Sequence, residues 1–175
     1  MRPTIHWIAL PALVAGVPGA AFATTYLSVE QAQQAIFPRA ELEKIDLQLT
    51  PEQCKAIEKR TGVKVRVPRV DAWRVKAGGW LFIDEVIGKH ETITYALGLD
   101  SDGSVKQVEV MAYRENYGGE IRRGEWLGQF ARKDASAHLA LDDDIKNISG
   151  ATLSCRHVTE GVKRLLATYE LVLAK

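Results

Sequence analysis

Only two cysteines, Cys54 and Cys155, occur in 175 residues, and that scarcity removes several kinds of chemistry at once. There is no C-x-x-C-H for haem attachment, no C-x-x-C redox pair and no Cys/His cluster at zinc spacing. His90, His138 and His157 are scattered and read as surface or core residues rather than ligands. Charge of one sign is missing too: 23 basic against 22 acidic side chains give a net charge of +1. That balance excludes the basic excess that favours nucleic acid, and no charge block suggests an anionic membrane surface. The nucleophile elbow G-x-S-x-G is absent. Ser154 and His157, three residues apart, do not by spacing imply a hydrolytic triad, so hydrolase chemistry is set aside. There are no internal repeats and no low-complexity linkers. Any redox chemistry must come from an organic cofactor.

Long apolar runs are also few, and the first one is interrupted. Arg2 precedes a modestly apolar stretch from Ile5 to Val17, with Pro11, Gly16, Pro18 and Gly19 breaking it. A membrane-spanning helix needs about 20 clean apolar residues. The segment therefore reads as a secretory signal with an A-x-A site at Ala21-Phe22-Ala23, and residues 1–23 are predicted to be removed. The expected mature chain, from Thr24, loses Arg2 and becomes formally neutral. About 150 residues remain, enough for one domain with a real core, residues 24–175. Export places both cysteines in an oxidising compartment, where Cys54 and Cys155 either pair or stay as buried thiols.

What is present reads as α+β. Ser28-Val29-Glu30-Gln31 is a capping box, with Val29, Ala32 and Ile36 on one helical face and Pro38 as a stop. Thr50-Pro51-Glu52-Gln53 starts a second helix that ends by Gly62. Residues 40–49 are ambiguous. Val63-Lys64-Val65-Arg66-Val67 alternates strictly and predicts a strand. Residues 79–88 form a nearly continuous apolar run, as for a strand buried on both faces. Residues 91–99 and 105–113 follow across short turns, predicting an antiparallel meander. Trp126 and Phe130 stand at helical spacing as core anchors, and residues 155–166 have the apolar spacing of a C-terminal helix.

The sharpest feature is Ser149-Gly150-Ala151-Thr152-Leu153-Ser154, directly before that last helix. The first N–H groups of a helix are unpaired and its dipole is positive there, so a phosphate on or near Thr152 is favoured. Arg156 and His157 lie close by in the chain. The bland reading is a helix cap supplied by Ser149 or Thr152.

S-G-A-T-x-S ahead of a helix resembles the flavinylation motif of the FMN-binding domain family. That family includes a flavin-bearing subunit of the sodium-translocating NADH:quinone reductase, its counterpart in the Rnf complex, and periplasmic flavoproteins. The resemblance implies FMN joined to Thr152 by a phosphoester, one per chain, installed by a flavin transferase that uses FAD. It makes Ser149, Gly150, Ala151, Leu153 and Ser154 the surrounding cofactor-binding segment. The family often carries an acidic residue three positions before the serine; here Lys146 stands there, with Asp144 two residues earlier. Glu115-Asn116-Tyr117-Gly118-Gly119-Glu120 is similar to the family's ring-facing loop, which implies non-covalent contacts from Tyr117, Gly118, Gly119 and Glu120. The implied function is a periplasmic electron carrier between a membrane donor and an extracytoplasmic acceptor, rather than a catalyst in its own right. Two alternatives compete: a module binding FMN or another ligand without a covalent bond, and an exported structural domain whose motif only caps a helix.

Overall fold

The computed structural model describes residues 24–115 and 117–174. The signal segment expected over 1–23 lies outside them. The chain is an α+β domain built on one antiparallel sheet. Strands β1 (Thr24–Thr25), β2 (Leu42–Gln48), β3 (Arg69–Val75), β4 (Trp80–Ile87), β5 (Thr92–Leu99) and β6 (Val105–Tyr113) lie in the order β1-β6-β5-β4-β3-β2. β2 to β6 are thus a meander, and β1 returns to pair with the end of β6, Thr24 opposite Tyr113.

Both faces of the sheet are covered, as strand alternation requires. One face carries Val70, Ala72, Phe82, Tyr95, Leu97 and Val108 into the larger core, with helix α4 (Thr152–Thr168) contributing Cys155, Val158, Val162 and Leu165. The opposite face presents Trp73, Leu81, Ala96 and Met111 to helix α1 (Val29–Ile36), which fills it with Ala32, Ile36 and the adjoining Phe37. Gly98 is essential to that contact: a Cβ there would collide with Ile36. On α4, Gly161 has the same function, lying against the Tyr95 hydroxyl and 3.0 Å, for a hypothetical Cβ, from Val86.

The capping boxes form as the sequence predicts. Ser28 Oγ accepts from Gln31 N at 3.2 Å, and Gln31 Oε1 accepts from Ser28 N at 2.8 Å. Thr50 and Gln53 repeat the exchange at the start of α2 (Pro51–Thr61), which ends at Gly62 in the left-handed conformation.

Two expectations need correction. Residues 63–67 form no strand, although their alternation is strict. β3, into which they lead, is flanked by β2 and β4 and offers them no open edge. Their amides find side chains instead: Val63 N donates to Thr61 Oγ1 at 3.1 Å and Val65 N to Glu58 Oε1 at 2.9 Å. Val67 is left 62 % exposed. Secondly, β4 is buried on both faces only over Trp80–Phe82; beyond Ile83 it becomes partly exposed, and Ile87 is half exposed. Of the two cysteine readings left open, free thiols are what the structure has: Cys155 is buried in the core and Cys54 is half-buried on α2. Burial raises the Cys155 thiol above its usual pKa, so it stays protonated and packs as a small hydrophobe.

Candidate functional site

Two segments far apart in the chain meet at one end of the sheet. β6 delivers Tyr113 to its last position, and the chain then loops back through Tyr117 and Gly118. The Tyr113 hydroxyl donates to the Tyr117 carbonyl at 2.5 Å and lies 3.3 Å from Ser154 Oγ. It therefore clips the loop to the first turn of α4. Burial raises the Tyr113 pKa, with the Ser154 hydroxyl opposing, so the phenol remains a donor. Gly118 has φ +82°, and a Cβ built there would stand 2.5 Å from that of Ala151. Only glycine allows both this backbone and this approach.

Thr152 is the first residue of α4. The N-cap position belongs to Ala151, which has no side-chain oxygen, so neither Ser149 nor Thr152 caps this helix. The bland cap reading fails on that geometry. Cys155 N closes the first turn on Ala151 O at 2.9 Å. Among the described residues, the amides of Thr152, Leu153 and Ser154 have no partner. Three unpaired donors thus stand at the positive end of a 17-residue helix. Gly150 turns the chain into it with φ +82°. Ser149 and Gly150 are exposed, Leu153 is 39 % exposed and Thr152 is half-buried. Thr152 Oγ1 accepts one hydrogen bond, from Asn147 Nδ2 at 3.1 Å.

The lead-in to this turn is held from behind. Trp126 Nε1 donates to Lys146 O at 2.7 Å, and Lys146 N donates to Gln129 Oε1 at 2.7 Å. Trp126 also packs edge-on to Phe130 with centroids 5.3 Å apart, so the core anchor expected at that position also grips the site segment. The Lys146 side chain is exposed. Asp144 is committed elsewhere: its carboxylate accepts from Ala140 N at 2.7 Å, Leu139 N at 3.2 Å and Lys133 Nζ at 2.9 Å. Burial opposes the charge there, but those donors win and its pKa lies below the usual value.

The remaining candidates divide. Tyr117 is 82 % exposed beside the helix start, an unusual position for a large ring. Gly119 and Glu120 open a short 3₁₀ turn, Gly119–Arg122, and with Arg122 and Arg123 they line an open cleft of about 350 Å³. Arg156 lies exposed one turn after Thr152. His157 does not face Thr152: its Nδ1 bonds the Ile87 carbonyl and lies 3.2 Å from that of Gly88. With Ser154 turned to Tyr113, Ser154 and His157 form no pair for nucleophilic chemistry. Among the described residues no group of His, Cys, Asp and Glu could hold a metal. A second cleft, of about 380 Å³, lies between β4 and α4 around Asp84, His157 and Arg164 and does not include Thr152.

Tyr113, Asn147 and Gln129 are the site residues that sequence reasoning missed. None of them belongs to a recognisable pattern; each acts through a contact distant in the chain.

No curated protein matches the chain. The family model of the FMN-binding domain matches residues 88–167, from the β4–β5 turn through α4, and that span holds Thr152, its lead-in and the Tyr117–Gly118 loop. Over residues 88–167 the chain is thus similar to the FMN-binding domain family.

Proposed function

We propose that this protein is an exported electron-transfer flavoprotein with FMN joined covalently to Thr152. The observation that carries the reading is Thr152 itself: it is the first residue of an uncapped helix, with unpaired amides around it and the Tyr117–Gly118 loop packed alongside. The unpaired amides of Thr152, Leu153 and Ser154 would hold the phosphate, with Arg156 adding positive charge. Tyr117 offers an exposed face on which a flat ring can stack. Gly118 and Gly119 let backbone amides approach it. When bound, the flavin supplies one- or two-electron transfer. The protein's residues fix it in place and set its surroundings. Covalent attachment prevents loss of the cofactor outside the cytoplasm.

The A-F-A site at residues 21–23 supports export to the periplasm. Maturation then requires a flavin transferase, and turnover requires a membrane or periplasmic redox partner on each side. Intact mass after coexpression with the transferase tests the linkage. The expected result is a gain of one FMN less water, mapped to the peptide containing Thr152. An unmodified mass, with the transferase active on another substrate, would refute it. The exposed Lys146, where the family often has an acid, favours a second reading: FMN held without a covalent bond. In that case flavin fluorescence leaves the protein on a denaturing gel.

Gly118→Val probes the ring loop. Its φ of +82° and the contact with Ala151 both oppose a branched side chain, so the loop must move away from the helix start. We expect FMN affinity of the unmodified chain, titrated by fluorescence quenching, to fall roughly tenfold or more. Wild-type affinity would show that the loop does not contact the flavin.

A further inference from the structure

We propose that Asn147 is a positioning residue for the hydroxyl of Thr152 that accepts the FMN phosphoryl group. The inference rests on the covalent reading above and adds to it the residue that prepares the acceptor.

In the transfer, Thr152 Oγ1 forms a bond to the flavin-side phosphorus of FAD. The pyrophosphate P–O bond breaks, AMP leaves with that bridging oxygen, and the threonine proton is lost to a base of the transferase or to water. Nothing is oxidised or reduced. The chain's contribution is therefore to present one oxygen lone pair in a fixed direction.

A threonine at the first position of a helix has a hydroxyl with several options. It can rotate, or bond back to nearby backbone groups. Here Asn147 Nδ2 donates to Oγ1 at 3.1 Å. That bond occupies one lone pair and fixes the rotamer, leaving the second lone pair for phosphorus. Asn147 is itself held, because the residue before it is gripped through both its amide and its carbonyl by Gln129 and Trp126. The acceptor hydroxyl is thus tied to the core through Asn147 and a doubly bonded backbone.

The arrangement carries a cost that structure alone does not repay. Asn147 Oδ1 is buried and has no hydrogen-bond partner, the only such side-chain atom among the described residues. An apolar residue at this position would avoid that cost. Keeping the amide, with its nitrogen on Thr152 and its oxygen unpaired, points to service at the hydroxyl.

The test uses the full mature chain, purified without flavin, with the transferase and FAD. Flavin incorporation is followed by in-gel fluorescence and intact mass, and thermal melts accompany every variant. Asn147→Ala should lower kcat for incorporation roughly 10- to 100-fold, with KM for the chain little changed. Asn147→Asp keeps the shape but donates to Oγ1 only when its carboxyl is neutral. Its rate relative to wild type should therefore rise as pH falls. Incorporation into Asn147→Ala at the wild-type rate would overturn the proposal. So would an Asn147→Asp deficit that is flat with pH, which is what a purely space-filling role gives. Should Asn147→Ala fail to fold, the Asn147→Asp pH profile decides. A wild-type chain that takes up no flavin removes the covalent reading and this one together; a modified wild type with an indifferent Asn147 removes this one only.

Discussion

Thr152→Ala should take up no covalent flavin while melting close to the wild-type temperature. The side chain does not cap α4, so its removal leaves the helix amides as they already are. What is lost is the single bond from Asn147, worth about 1 kcal/mol. Alanine is also the better helix former, which returns part of that. Against a domain stability of about 5–15 kcal/mol the change is small. The chemical loss should be complete, because among the described residues no other hydroxyl has the same placement. Ser149 lies outside the helix and is exposed; Ser154 is buried against Tyr113. A denaturing gel of the variant after coexpression with the transferase is the check. Fluorescence that survives would move the anchor to one of those serines.

The opposite pattern, lost stability with attachment chemistry intact, is expected from Asp84→Ala. Asp84 on β4 accepts from the Tyr95 hydroxyl at 2.6 Å and from Arg164 Nη2 at 2.5 Å. Tyr95 is fully buried, and the Arg164 and Asp84 side chains are only 12 % and 17 % exposed. Burial weighs against the Arg164 charge, and Asp84 more than offsets it, so the pKa of Arg164 lies above its usual value. Burial also drives the Tyr95 phenol well upward, so it stays a donor at any physiological pH. Removing the carboxylate leaves a guanidinium with no counter-charge and a buried hydroxyl with no acceptor. Breaking a buried pair in this way costs about 3–5 kcal/mol. For a domain of this size that lowers Tm by roughly 6–20 °C. Below the lowered Tm, Thr152 should still accept flavin, because the network lies further along α4. A Tm within a degree or two of wild type would show that the network contributes little to holding α4 on the sheet.

The sequence displayed some of this plainly and concealed the rest for identifiable reasons. Helix starts at Ser28 and Thr50 were legible because capping boxes are local, complete within four residues. β4, β5 and β6 were legible because their apolar residues are dense. β2 and β3 were not: each mixes Glu, Asp, Lys or Arg into every few positions, and their pairing is visible only once both are placed side by side. The 63–67 segment shows the reverse error, a strand pattern with no partner to pair with. At the candidate site, the motif pointed to Thr152 and the resemblance to Tyr117–Gly118, two segments that the structure brings side by side. Asn147, Tyr113 and Gln129 were not legible, since their roles come from bonds to Thr152, Tyr117 and Lys146 that no local pattern encodes.

The contact of Gly118 with Ala151, fastened by Tyr113, also ties two local unfolding events into one. The Tyr117 loop cannot lift away without releasing the first turn of α4, and that turn cannot fray without freeing the loop. A ligand bound by both segments favours the closed form of each, and by thermodynamic linkage a substitution that loosens either weakens the ligand by the same factor. Amide hydrogen exchange of Leu153 and Gly119 should therefore slow together when flavin is present, although the two residues lie in different segments of the chain.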